Sequence, residues 1–368
     1  MLNQLEHRAL PYSPSVEEIP NDEAETTQGL IDTMRKISET TLQHDGHPIR
    51  SVHAKSHALL QGELEVLDHL ELPLAQGLFV APARYPVVLR FSTVPGDLLD
   101  DSVSTPRAVA IKVIGAEGPR LAGSETDATQ DFVLVNGPAF GAATPKAFLA
   151  NLKLLAATTD KAEGLKKVIS GALQGVNAAV KATTGAPSPT VSALGGQAET
   201  HILGETFFSQ VPLRWGDYIG KVRLKPVSGE LTALTDRRLK INGVPNALRE
   251  ACVEFFQASG GVWELQVQLR TDAEKMPIED ASKLWDEAES PYLTVARLTA
   301  GPQVAWSEAR SSAVDDGMSF SPWHGLLAHQ PLGGVMRARK PAYEMGRRFR
   351  AEHSGRAIVE PREISLPS

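Results

Sequence analysis

The chain has 368 residues, 42% hydrophobic and 22% charged, which suits a globular protein with a full core built as one large domain or two ordinary ones. A formal charge of -7 argues against a nucleic-acid binder, which would carry a basic patch, and gives no attraction to an anionic membrane. Cys252 is the single cysteine, so an intrachain disulfide and a cysteine-based zinc or iron–sulfur site are excluded.

Residues 1–22 read as an extended arm, because Pro11, Pro14 and Pro20 block regular structure. A helix follows over 23–43, with Leu30, Met34, Ile37 and Leu42 at helical spacing. From about 49 to 136 the pattern is strand-like. In the run 86–93, Val87, Leu89 and Phe91 alternate against Val88, Arg90 and Ser92. Two more β-rich runs cover 108–114 and 131–135. Residues 145–181 read as helical, and 183–197 as a loop rich in Gly, Ser, Pro and Ala. Strands return at 210–227, 262–270 and 293–299, with a helix at 246–258 between them. A last helix spans about 335–352. Strands first and mixed elements later indicate an α+β chain, not a doubly wound sheet. The organisation expected is an arm and helix over 1–45, one domain over 46–352 and a tail over 353–368.

The N-terminal 45 residues hold no basic start followed by an apolar run, so no secretory signal is expected. No apolar stretch is long enough to span a bilayer. A cytoplasmic location is the expectation, and one cysteine fits it.

Three segments carry most of the chemistry. Near the C-terminus, Arg339-Lys340-Pro341-Ala342-Tyr343 places an arginine four residues before a tyrosine. On a helix the two share a face. Arg350 lies seven residues further along that stripe. Pro341 interrupts the argument, since a helix starting there would leave Arg339 outside it. Near the other end stand Arg50-Ser51-Val52-His53-Ala54-Lys55 and Arg90-Phe91-Ser92-Thr93. Histidine is the side chain whose ordinary pKa suits proton transfer near neutral pH. Arg90 and Ser92 share one strand face by the period of two.

In this order along the chain, these segments resemble the haem catalases, as does Phe320-Ser321-Pro322 before the tyrosine helix. Catalases are among the few haem proteins that ligate iron through tyrosine. The resemblance covers roughly 45–352 and implies a catalase-like antiparallel β-barrel with surrounding helices, lacking most of the family's C-terminal helical region. It implies haem b (heme b), with Tyr343 as the iron ligand and Arg339 beside it. Arg50, Arg90 and Arg350 would serve the haem edge, and Phe140 and Phe148 would flank the ring. His53 would be the distal acid–base group, supported by Ser92. The family's distal amide falls in a stretch similar to Asp131-Phe132-Val133-Leu134-Val135-Asn136. An ungapped match puts Val135 at that place; a one-residue shift brings in Asn136, the reading preferred over a pocket without the amide.

The activity implied is decomposition of hydrogen peroxide and organic hydroperoxides through a ferryl intermediate. A shorter chain than the family's is expected to leave a wider path to the haem, favouring organic peroxides. It also leaves no NADPH site expected. One branch of the family rearranges fatty-acid hydroperoxides and carries threonine before the distal histidine; Val52 stands there instead. Two alternatives are a lipid hydroperoxide lyase or isomerase and a non-enzymatic haem carrier or sensor. The partners expected are a small peroxide and an unidentified electron donor, with a homo-oligomer compatible.

Overall fold

The computed structural model describes residues 8–156 and 196–368. Nine strands form one antiparallel sheet: β1 Ser56–Val66, β2 Arg84–Thr93, β3 Arg107–Ile114, β4 Thr129–Val135, β5 Phe207–Phe208, β6 Leu213–Trp215, β7 Tyr218–Pro226, β8 Gly261–Leu269 and β9 Leu293–Ala300. The order is β5-β4-β3-β2-β1-β9-β8-β7-β6. The two-residue β5 closes it, pairing Phe208 with Val135 of β4 and Phe207 with Leu224 of β7. The result is an eight-stranded barrel, with β6 folded back on β7 through a tight turn at Gly216, whose φ of 61 favours glycine.

Alternation explains which side chains fill the barrel. Val87, Leu89 and Phe91 of β2 and Val109, Ile111 and Val113 of β3 point inward into the main core with Phe207, Trp215 and Trp263. Phe79 stacks on Trp215 at 4.8 Å between ring centroids. Each fully buried large apolar side chain stabilises the fold by about 1.5–3 kcal/mol. The other faces of β2 and β3 are buried as well, so both sides of these strands are covered.

Val314, Phe320 and Leu366 supply part of that cover, packing on Val88, Ala110 and Ile114. Among the described residues the helices are α1 Glu23–Asp45, α2 Pro145–Ala156, α3 Gly229–Thr232, α4 Ala247–Ala258, α5 Glu308–Ser311 and α6 Gly334–Ser354. A π-helical turn, Ser312–Asp316, follows α5. Helix α1 ends at Gly46 in the left-handed region, whose N–H reaches the Leu42 carbonyl. Its Leu30, Met34 and Ile37 pack on Ala338, Ala342, Met345 and Phe349 of α6 and on Leu152 of α2. That α6 stripe lies beside a second one, Arg339, Tyr343, Gly346 and Arg350, left free to face the barrel wall.

Several expectations change here. Helix α6 runs through Pro341, which sits inside it, so Arg339 and Tyr343 do share one helix. Strand β1 escaped the alternation test because Ala58, Leu59 and Leu60 are all buried in succession. The arm is pinned across the barrel end by Leu10 and Tyr12 N–H groups on the Arg270 and Asp217 carbonyls. The arm's first seven residues, residues 157–181 of the expected 145–181 helix and nearly all of the 183–197 loop lie outside the described residues.

Candidate active site

Between the outer face of β2–β4 and helix α6 lies a cavity of about 390 Å³. Its volume falls in the range of small-molecule and cofactor pockets, roughly 300–1,000 Å³. Ala108 and Ala110 of β3, Val133 of β4 and Phe320 form apolar wall, and Arg90 and Ser92 face it from β2. The period of two puts Arg90 and Ser92 outside the barrel while Leu89 and Phe91 fill it.

Tyr343 lines the α6 side, and Arg339 Nη2 donates to its phenolic oxygen at 2.5 Å. The neighbours on that wall are small. Ala342 and Gly346 flank Tyr343, and a Cβ on Gly346 would meet nothing nearer than Ser51 Oγ at 3.8 Å.

His53 lines the same cavity. It lies in the turn before β1, not on the strand where the sequence placed it. Its φ of 56 is left-handed, uncommon for a residue with a side chain. Hydrogen bonds hold the turn: His53 N–H to the Val94 carbonyl at 2.7 Å and Ala54 N–H to Pro95 at 3.0 Å. Ser92 Oγ lies 3.3 Å from His53 Nδ1. Burial, then Arg90, Arg339 and Arg50, lower the imidazole to about 3, so it is neutral near pH 7.

Arg50, Arg90 and Arg350 converge at one end of the cavity, around a residue the sequence reading missed. Arg90 Nε donates to Asp315 Oδ1 at 2.6 Å, and Arg50 Nη1 lies 3.5 Å from the same oxygen. The Asp315 backbone carbonyl accepts from Arg50 at 2.5 Å and Arg350 at 2.7 Å. The Met318 carbonyl takes a second bond from Arg50 and one from Arg350. Burial and then mutual repulsion lower Arg50 well below an ordinary guanidinium and Arg350 to about 10. Burial alone would raise Asp315, but Arg90 and Arg50 overcome it and hold the carboxylate low. Three cations crowd Asp315, with Asp316 also acting on Arg50 and Arg350, and the positive excess that remains suits an anionic group.

Three expected residues are placed elsewhere. Asn136 is spent on the fold: its Oδ1 accepts from the Arg107 N–H at 2.9 Å and its Nδ2 donates to Glu205. Among the described residues it is not part of the cavity wall, so the one-residue shift does not bring an amide there. Phe140 and Phe148 meet edge to face at 5.0 Å, within packing between α2, α6 and neighbouring loops. Neither reaches the cavity wall, where Val52, Phe320 and Trp323 stand instead.

No family model matches the sequence, and a search of curated proteins finds no match. Solved structures do match. A fungal catalase superposes with a TM-score of 0.59 at 21% identity over 86% of this chain. Catalase A from Saccharomyces cerevisiae gives 0.58 at 19% over 85%, and a bacterial catalase 0.57 at 18% over 93%. This chain has the catalase fold. It covers 63% of each of those chains, under two thirds of their length. On this fold the cavity lies outside the barrel wall, under the tyrosine helix. Among the described residues no helix is long and apolar enough to cross a membrane.

Proposed function

We propose that this protein binds haem b in the cavity under α6 and decomposes peroxides, both hydrogen peroxide and organic hydroperoxides. One observation carries the reading: Tyr343, hydrogen-bonded by Arg339, lines the same cavity as His53 and Ser92. The donor set fits the group. A phenolic oxygen beside a guanidinium suits iron, the small residues Ala342 and Gly346 leave room for a flat ring, and the arginine excess suits two carboxylates.

Bound haem would supply an iron able to cleave the peroxide O–O bond by redox chemistry. The protein's residues would manage charge and protons around it. Tyr343 would hold the iron, and Arg339 would stabilise its phenolate. Arg50, Arg90 and Arg350 would take the propionates. His53 is suited to move a proton from one peroxide oxygen to the other through Nε2. For that its Nδ1 must carry the other hydrogen and donate to Ser92 Oγ, which fixes the tautomer. A histidine held neutral supports that role. Ala122 and Gly123 on the wall support room for an organic substituent. A passive haem carrier has no use for the His53–Ser92 pair.

The test is to load the protein with haem and compare two rates: oxygen release from hydrogen peroxide, and oxidation of an aromatic dye by cumene hydroperoxide. We expect both, with dye oxidation prominent. Tyr343→Phe should lose the high-spin tyrosinate spectrum or lose haem. Haem binding with no turnover of either peroxide, or an unchanged spectrum in Tyr343→Phe, overturns the reading.

A further inference from the structure

Arg90 does two jobs at once. Its Nε binds Asp315, while its Nη2 donates to the His53 carbonyl at 2.8 Å and the Ala54 carbonyl at 3.2 Å. The second pair of bonds grips the turn that carries His53 in its left-handed conformation. A non-glycine residue in that region is strained and persists only where its surroundings hold it. Arg90 is such a restraint, so whatever fixes Arg90 also fixes His53.

Asp315 fixes Arg90, and it is itself held on every side. Its Oδ2 accepts from Ser56 Oγ and Ser311 Oγ, each at 2.7 Å. Ser56 is held in turn by Trp306 Nε1 at 3.0 Å. The residue sits in the π-helical turn Ser312–Asp316, which directs both its carboxylate and its carbonyl toward the arginines. Such turns are rare and concentrate at functional sites. Among the described residues Asp315 does not line the cavity, so it acts only through others.

We propose that Asp315 is the positioning residue of this site: through Arg90 it holds the His53 turn, and with the same carboxylate it spaces Arg50 and Arg90 for an anionic ligand. One buried carboxylate thereby couples the proton-handling histidine to the cationic end of the cavity. The proposal rests on the reading of His53 as the proton carrier.

Two measurements test it. The first uses the haem-free protein and follows amide hydrogen exchange in a peptide covering 50–57, which contains the His53 and Ala54 N–H groups. Asp315→Asn keeps the shape and removes the charge. It should speed exchange there by at least about tenfold, as expected when charge-assisted bonds holding a local turn are lost, and leave β3 at the parent rate. Ser311→Ala, a milder change, should speed it severalfold and decides the matter if Asp315→Asn does not fold. The second uses haem-loaded protein and titrates cyanide, which binds as hydrogen cyanide and needs a proton acceptor. Asp315→Asn should weaken cyanide at least about tenfold while the tyrosinate spectrum stays, a split that general loosening would not give. Parent-like exchange in both variants overturns the proposal. Failure of the parent to take up haem overturns the haem reading instead and leaves the exchange result to decide Asp315.

Discussion

Two buried charge clusters flank Phe320, and they are built on opposite plans. On one side Lys112 of β3 donates to Asp131 at 2.7 Å and also to Glu360, with Thr129 and Ser319 hydroxyls on Glu360. His324 Nδ1 approaches both carboxylates, at 3.6 Å and 3.4 Å. On the other side Arg50, Arg90 and Arg350 share Asp315. Both reach the same ring, Lys112 at 5.3 Å from its centroid and Arg50 at 6.0 Å. In the lysine cluster one cation meets two carboxylates that hydroxyls and a backbone N–H also satisfy. The arginine cluster crowds three cations around Asp315, with Asp316 acting on Arg50 and Arg350, and lines the cavity with a positive excess. A buried charge set met by its own neighbours tells of the fold; a crowd of cations lining a cavity points to a ligand.

The largest effect should come from breaking the lysine set. Lys112 is wholly buried, and its two carboxylate neighbours raise its hold on a proton despite burial. Lys112→Met strands Asp131 and Glu360 in the interior and should cost about 3–5 kcal/mol of stability. Adding Glu360→Gln should recover part of that loss. Thermal or denaturant unfolding of the haem-free protein measures both. A Lys112→Met variant as stable as the parent would show that the cluster is not held by that lysine.

Arg350→Met should do the reverse. It removes a cation from a crowded set, and the Asp315 and Met318 carbonyls keep their bonds from Arg50. Haem-free stability should stay within about 1 kcal/mol of the parent, since repulsion falls as a bond is lost. Haem retention should weaken by roughly tenfold, about 1.4 kcal/mol, read by transfer of haem to a competing acceptor protein. A strong loss of haem-free stability with retention unchanged would make the arginine cluster structural, like its neighbour.

The sequence disclosed some of this and concealed the rest, for reasons of distance. Arg90 and Ser92 were legible because strand alternation is local: their partners in the pattern, Leu89 and Phe91, are adjacent. The Arg339–Tyr343 pair was legible because a helix returns every fourth residue to one face, and Pro341 did not interrupt it. Asp315 was not, because it meets Arg90 across 225 positions and no local pattern marks it. An unpaired arginine trio is a reason to look for a buried acid, but the sequence offers 44 acidic residues and no way to choose. His53 was assigned to a strand because β1 begins three residues later, and nothing in a sequence shows a left-handed φ at a histidine. Asn136 was misplaced for a related reason. At the end of β4 an amide serves a neighbouring backbone N–H as readily as a ligand, and Arg107 took it.

Acid should separate the two clusters more gently. Lys112 and His324 overcome burial and keep the Glu360 carboxyl below its ordinary range, as Arg90 and Arg50 do for Asp315. A carboxyl depressed in the folded state stabilises it above the unfolded pKa, near 4, and that stability is lost as pH falls through the lower folded value. Each such proton contributes a slope of up to about 1.4 kcal/mol per pH unit. His53 and His329, held at about 3, and His201, at about 4, lose stability from about pH 6.5 downward, so only differences between variants isolate the carboxyls. Protonating Glu360 leaves Lys112 still facing Asp131. Protonating Asp315 leaves three arginines with only the more exposed Asp316 acting on Arg50 and Arg350. Unfolding of haem-free protein between pH 5 and 3 should therefore flatten more in Asp315→Asn than in Glu360→Gln, each taken relative to the parent. Equal flattening would mean that water in the cavity already screens the arginine excess, and that the need for an anion is weaker than that excess implies.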